Sequence, residues 1–125
     1  MGMKSDPGRV LIVDDEPHVR ALLRDFLTTV CVEVATAASG EEALEIVPTF
    51  QPDVILTDAM MPGMSGADLL DALRGAGVTV PVILISGTPI PMADGFFRLL
   101  RKPFDLGELA QVVMAAMEHG RTGDA

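Results

Sequence analysis

Five polar residues stand at or just beyond the ends of apolar runs in this chain. Asp14 and Asp15 follow Val10-Leu11-Ile12-Val13, Asp58 follows Val54-Ile55-Leu56-Thr57, Ser86 follows Val82-Ile83-Leu84-Ile85, and Lys102 comes just after Leu99-Leu100. Three carboxylates brought to one place repel, and raise one another's pKa unless a cation neutralises them. The cation suited to such hard oxygen donors is Mg²⁺, which keeps several waters and often bridges carboxylates to phosphate. Lys102 adds an ammonium and Ser86 a hydroxyl donor. An ionised Asp nucleophile, a metal, an ammonium and a hydroxyl make up the set that phosphoryl transfer to a carboxylate requires. An Asp after a strand is often only a helix cap. The conjunction of all five residues, rather than the Asp14-Asp15 pair, carries the reading of a site.

The chemistry depends on the elements that position it. The apolar runs are of strand length and alternate with helical patterns. After Pro17, which suits a first helical turn, Val19, Leu22, Leu23, Phe26, Leu27 and Val30 form one amphipathic stripe. A second strand runs from Val32 to Ala37. Ser39 and Glu42 form a capping-box pair for a helix expected to stop before Pro48. Ser65 with Asp68, and Asp105 with Glu108, are further capping pairs, and a weak fifth strand is expected over Phe97 to Leu100. The order implies α/β architecture: a (βα)5, doubly wound, five-stranded parallel sheet of flavodoxin-like type. In such folds ligands bind beyond the carboxyl ends of the strands, which is where the five polar residues fall. One domain is expected over 9–119, with flexible ends at 1–8 and 120–125.

Composition narrows the class. The 125 residues suffice for one domain, and 49% of them are hydrophobic, enough for one core. The net charge of -9 argues against direct nucleic-acid binding, which needs a concentrated basic patch. The longest apolar runs are strand-length, so no membrane span is expected. With Cys31 the only cysteine, no intrachain disulfide can form, and a reducing, cytoplasmic location fits. No dinucleotide or P-loop glycine motif is present.

The segments Val10-Leu11-Ile12-Val13-Asp14-Asp15-Glu16-Pro17, Leu56-Thr57-Asp58-Ala59-Met60-Met61-Pro62-Gly63-Met64-Ser65-Gly66, Ile85-Ser86-Gly87 and Lys102-Pro103-Phe104 resemble the signature segments of the receiver domains of two-component response regulators, chemotaxis receivers among them. The resemblance covers about Arg9 to Glu118, in the right order and on the right elements. It implies that Asp58 accepts a phosphoryl group from a histidine kinase or a histidine phosphotransfer protein. It also implies that Asp15 and Asp58 ligate Mg²⁺, that Asp14 acts through metal-bound water, and that Met60 offers its backbone carbonyl. Ser86 and Lys102 would contact the phosphoryl group, and the peptide before Pro103 is expected to be cis. Such a protein is a signalling phosphoacceptor rather than an enzyme, and its downstream partner is a protein that the sequence does not identify.

Two features depart from the family. The interval between Ser86 and Lys102 is short, and its Pro89, Pro91 and glycines disfavour a helix. The fourth helix is therefore expected to be shortened or missing. Leu99 stands where many receivers carry a switching aromatic. Two other functions compete with the phosphoacceptor: an interaction module that works without phosphorylation, and an aspartyl-phosphate phosphatase. The first needs none of the five residues, and the second expects an acidic pair two positions apart rather than adjacent. Single-domain regulator and fragment of a larger protein both remain open. Asp53 reads as a turn residue, His18 and His119 as isolated surface residues, Cys31 as a strand-edge residue, and Gly63 and Gly66 as serving loop geometry.

Overall fold

Runs such as Val10 to Val13 are apolar at every position because the sheet they form is covered on both sides. The computed structural model describes residues 8–30, 32–88 and 95–122, with side chains described as far as His119; Cys31 and Pro89, Pro91 lie outside them. The elements are β1 (Arg9–Val13), α1 (Pro17–Thr29), β2 (Glu33–Ala37), α2 (Gly40–Phe50), β3 (Val54–Asp58), α3 (Gly66–Gly75), β4 (Val82–Ser86), β5 (Arg98–Arg101) and α4 (Leu106–Thr122). The strands form one parallel sheet in the order β2-β1-β3-β4-β5.

Alternate residues of each strand feed two cores. Val10, Ile12, Leu56, Ile83 and Ile85 pack with Leu23 and Leu27 of α1 and with Leu109 and Val113 of α4. Leu11, Val13, Ile55 and Val82 pack with Ala43 and Val47 of α2 and with Leu69 and Leu73 of α3. Helices therefore cover both faces, and only the strand ends are left for chemistry.

The caps follow the sequence closely. Ser65 and Asp68 form a full capping box, and Asp105 Oδ1 accepts the Glu108 N–H at 2.7 Å. Ser39 Oγ accepts the Glu42 N–H, but Glu42 Oε1 takes the N–H of Ala38 rather than of Ser39.

Some boundaries differ from expectation. Helix α2 does not stop before Pro48 but runs to Phe50. Pro48 lies in the last turn, where it forfeits one N–H bond, while buried Val47 and half-buried Phe50 hold that turn against the core. Strand β5 spans Arg98–Arg101 rather than Phe97 to Leu100, because its register places Arg101 opposite Ser86. Helix α4 continues past Gly120, the expected start of the tail, to Thr122. Between β4 and β5, the described residues Gly87, Thr88, Gly95, Phe96 and Phe97 are not helical. This is consistent with a shortened or missing fourth helix.

Candidate functional site

The chain leaves β1 for β2 on one side and returns to β3 on the other, opening a crevice at the carboxyl ends of β1 and β3. Val13 pairs with Thr57, so Asp14 and Asp58 emerge level with each other. Asp58 in turn pairs with Ile85, and Ser86 with Arg101, which brings Ser86 and Lys102 to the same edge. Asp14, Asp15 and Asp58 each offer a carboxylate oxygen, all within 4.8 Å of one another. Lys102 Nζ lies 3.5 Å from Asp58 Oδ1. The Lys102-Pro103 peptide is cis, and the Lys102 N–H donates to Ser86 O at 2.8 Å.

The three carboxylates differ in environment. Asp14 is buried, Asp58 half-buried and Asp15 exposed. Burial, with the nearby charges of Asp58 and Asp15, holds the Asp14 carboxyl above its ordinary value of 3.8, against the Glu16 N–H and Lys102, which pull it down. Glu16 N–H donates to Asp14 Oδ1 at 2.8 Å, which fixes the carboxylate where α1 begins. Asp15 and Asp58, unlike Asp14, remain in contact with solvent. Hard carboxylate donors, one buried and kept partly uncompensated by its neighbours, fit a small divalent cation such as Mg²⁺.

Ser86 is buried, and its hydroxyl is engaged locally. Oγ donates to Thr88 O at 2.7 Å and accepts the Thr88 N–H at 3.2 Å. Met60 follows β3 with its side chain 71% exposed, so the side chain itself holds nothing in the core. Gly66 begins α3 directly behind Asp58. A Cβ there would lie 2.7 Å from the Asp58 carbonyl oxygen, so glycine is required for the close approach. Gly63 takes φ +78°, a left-handed turn.

Three residues have roles that sequence reasoning missed. Arg20 Nη1 donates to the Asp14 carbonyl at 2.7 Å. The available signal was a basic residue one turn into the helix after an acidic strand end, since helical side chains lean back toward the N-terminus. Arg74 donates to the carbonyls of Val78 and Val80 and bridges to Gly95. Asp53 accepts the Arg9 N–H at 2.8 Å and so anchors the start of β1, more than a turn residue would. His18 and His119 are exposed as expected, but the His119 ring packs on Phe97 at 5.3 Å between centroids.

Comparison with known proteins agrees with this geometry. A family model described as the response regulator receiver domain matches residues 10–114. The chain is 37% identical to the Regulator of RpoS of Escherichia coli over 117 residues, covering 87% of this chain and 34% of that protein. It is 35% identical to the sensor histidine kinase TmoS of Ectopseudomonas mendocina over 130 residues, covering 98% of this chain and 13% of that protein. The chain thus spans about a third of the length of the first of these curated relatives and about an eighth of the second. A crystal structure of the response regulator protein TrrA from Thermotoga maritima in complex with Mg²⁺-BeF superposes with a TM-score of 0.80 at 31% identity, covering 87% of this chain and 98% of that one.

Proposed function

The chain belongs to the response regulator receiver domain family, and from that premise we propose that Asp58 accepts a phosphoryl group from a phosphohistidine on a histidine kinase or phosphotransfer protein and that this changes its contacts with a downstream protein. One observation carries the reading. Three carboxylates converge within 4.8 Å at the crevice of a parallel sheet, and Lys102 stands 3.5 Å from one of them.

A carboxylate oxygen of Asp58 attacks phosphorus as the P–N bond to the donor imidazole breaks, and the imidazole recovers a proton from solvent. Lys102 stabilises the negative charge on the transferred oxygens. Ser86 can donate its hydroxyl to them once it leaves Thr88. Asp15 and Asp58, with the Met60 backbone carbonyl, would hold Mg²⁺, and Asp14 would act at one remove. When bound, the ion neutralises the carboxylates and the phosphoryl oxygens together.

Receiver domains are signalling domains rather than enzymes. Among the described residues, no helix is long and apolar enough to cross a membrane. The net charge of -9 supports a chain that makes no direct contact with nucleic acid, and work in the cytoplasm is part of the proposal.

Intact mass after incubation with Mg²⁺ and acetyl phosphate tests the assignment. One added phosphate is expected, and none in Asp58→Asn. Equal labelling of the Asp58→Asn protein would exclude Asp58 as the acceptor.

A further inference from the structure

We infer that Arg20 is a positioning residue for the acidic site: by clamping the Asp14 main chain from α1, it sets where Asp15 presents its carboxylate. The inference rests on the reading of the carboxylate cluster as a Mg²⁺ site.

The argument starts from the end of β1. After Val13 the parallel ladder stops, and Asp14 is 98% removed from solvent at the point where the chain turns into α1. Its N–H still donates to Ala37 O at 3.1 Å. Its carbonyl has left the ladder, and a buried carbonyl without a partner is costly. Arg20 supplies the donor, at 2.7 Å. Arg20 sits in the first turns of α1, where its own N–H donates to Glu16 O. Its side chain leans back along the helix toward the strand end.

Asp14 is therefore held at its N–H by β2, at its carboxylate by the Glu16 N–H, and at its carbonyl by Arg20. Asp15 has no comparable support. It is exposed, and among the described residues no hydrogen bond or ion pair orients its carboxylate. Its position is inherited from the peptide that Arg20 fixes.

Geometry and charge are separable explanations. Arg20→Gln removes the charge and keeps a donor, whereas Arg20→Met removes both, so these variants separate the two. Arg20 meets the carbonyl side of Asp14, so its direct contact is with the backbone.

The test is Mg²⁺ affinity by amide NMR titration, because the chain has no Trp or Tyr to report by fluorescence. Wild type, Arg20→Met, Arg20→Gln and Arg20→Lys are compared, with Asp15→Asn as the reference for a damaged metal site. Arg20→Met removes the donor and should weaken Mg²⁺ binding roughly tenfold, the lower range for loss of an outer-shell partner. Arg20→Lys keeps a donor on a long chain and should recover most of the loss. Arg20→Gln keeps an uncharged donor and should bind Mg²⁺ better than Arg20→Met, while Arg20→Ala, which also lacks a donor, takes the place of Arg20→Met if that protein does not fold. A wild type that binds Mg²⁺, beside donor-deficient variants that bind it equally and only melt earlier, would show a purely structural arginine and overturn the inference. A wild type that binds no Mg²⁺ would overturn the metal site first and this inference with it.

Discussion

Ser86 and Thr88 hold each other in a closed pair, the hydroxyl of Ser86 donating to Thr88 O at 2.7 Å while accepting the Thr88 N–H at 3.2 Å. Ser86 ends β4, one residue after Ile85, the residue that pairs with Asp58. Its hydroxyl cannot give its one proton both to Thr88 and to a phosphoryl oxygen. Phosphorylation should therefore release Thr88. With a beryllofluoride phosphoryl mimic, amide exchange should change most at Gly87, Thr88 and Gly95 to Leu99, and this response should vanish in Ser86→Ala. Exchange that is identical there in both states, with another surface responding, would refute this route. Leu99, half-buried on β5, offers no aromatic ring to switch instead.

Lys102 should matter far more to the reaction than to the fold. Its pair with Asp58 is partly exposed, with side chains 38% and 14% accessible, and such pairs contribute about 0–1 kcal/mol. Against a developing phosphoryl charge, loss of a positioned donor typically costs roughly 10²-fold in rate. Lys102→Met should slow labelling by acetyl phosphate by about that factor, with little change in melting temperature. A large drop in melting temperature with normal labelling would reverse the assignment.

Asp14 gives the metal-free protein a pH dependence of known sign. Its folded-state pKa is raised above the unfolded value, by burial first. The protonated form is thus favoured in the folded state. That contribution is fully present below about 3.8 and is lost as pH rises through the raised value. Asp14→Asn should remove this loss and melt higher than wild type at neutral pH without metal. Mg²⁺ should raise the wild-type midpoint as well, by binding only the folded state. Parallel melting curves for wild type and Asp14→Asn from acid to neutral pH would contradict the account.

Gly66→Ala tests the packing behind Asp58. The new Cβ would meet the Asp58 carbonyl oxygen at 2.7 Å and Leu84 Cδ1 at 2.8 Å. The leucine can turn, but the backbone oxygen cannot move without displacing Asp58. Overpacking of this kind costs about 1–3 kcal/mol, with a melting shift of roughly 4–8 °C per kcal/mol. Phosphorylation should fall too, because the nucleophile is carried on the displaced peptide. Gly75→Ala, where a Cβ meets nothing within 4 Å, is the control.

Much was legible in the sequence because it is written in local periodicity. Unbroken apolar strands mark a sheet covered on both faces, and capping residues such as Ser65 and Asp68 mark helix starts. A carboxylate, hydroxyl or lysine directly after such a strand must fall at its carboxyl end, so the membership of the Asp14, Asp15, Asp58, Ser86 and Lys102 group followed from position alone. Its geometry did not. That Asp14 and Asp58 stand level depends on β1 lying next to β3 in a particular register, a pairing between residues far apart in the chain. The persistence of α2 through Pro48 was decided by burial of Val47 and Phe50, which outweighs a local helix-breaking preference. Which partner a long or rotatable side chain chooses is also set only after packing. Arg20 finds the Asp14 carbonyl and Ser86 finds Thr88 because the fold leaves those groups within reach; the place of Arg20 one turn into α1 brings it near the strand end, but packing decides which group each side chain meets.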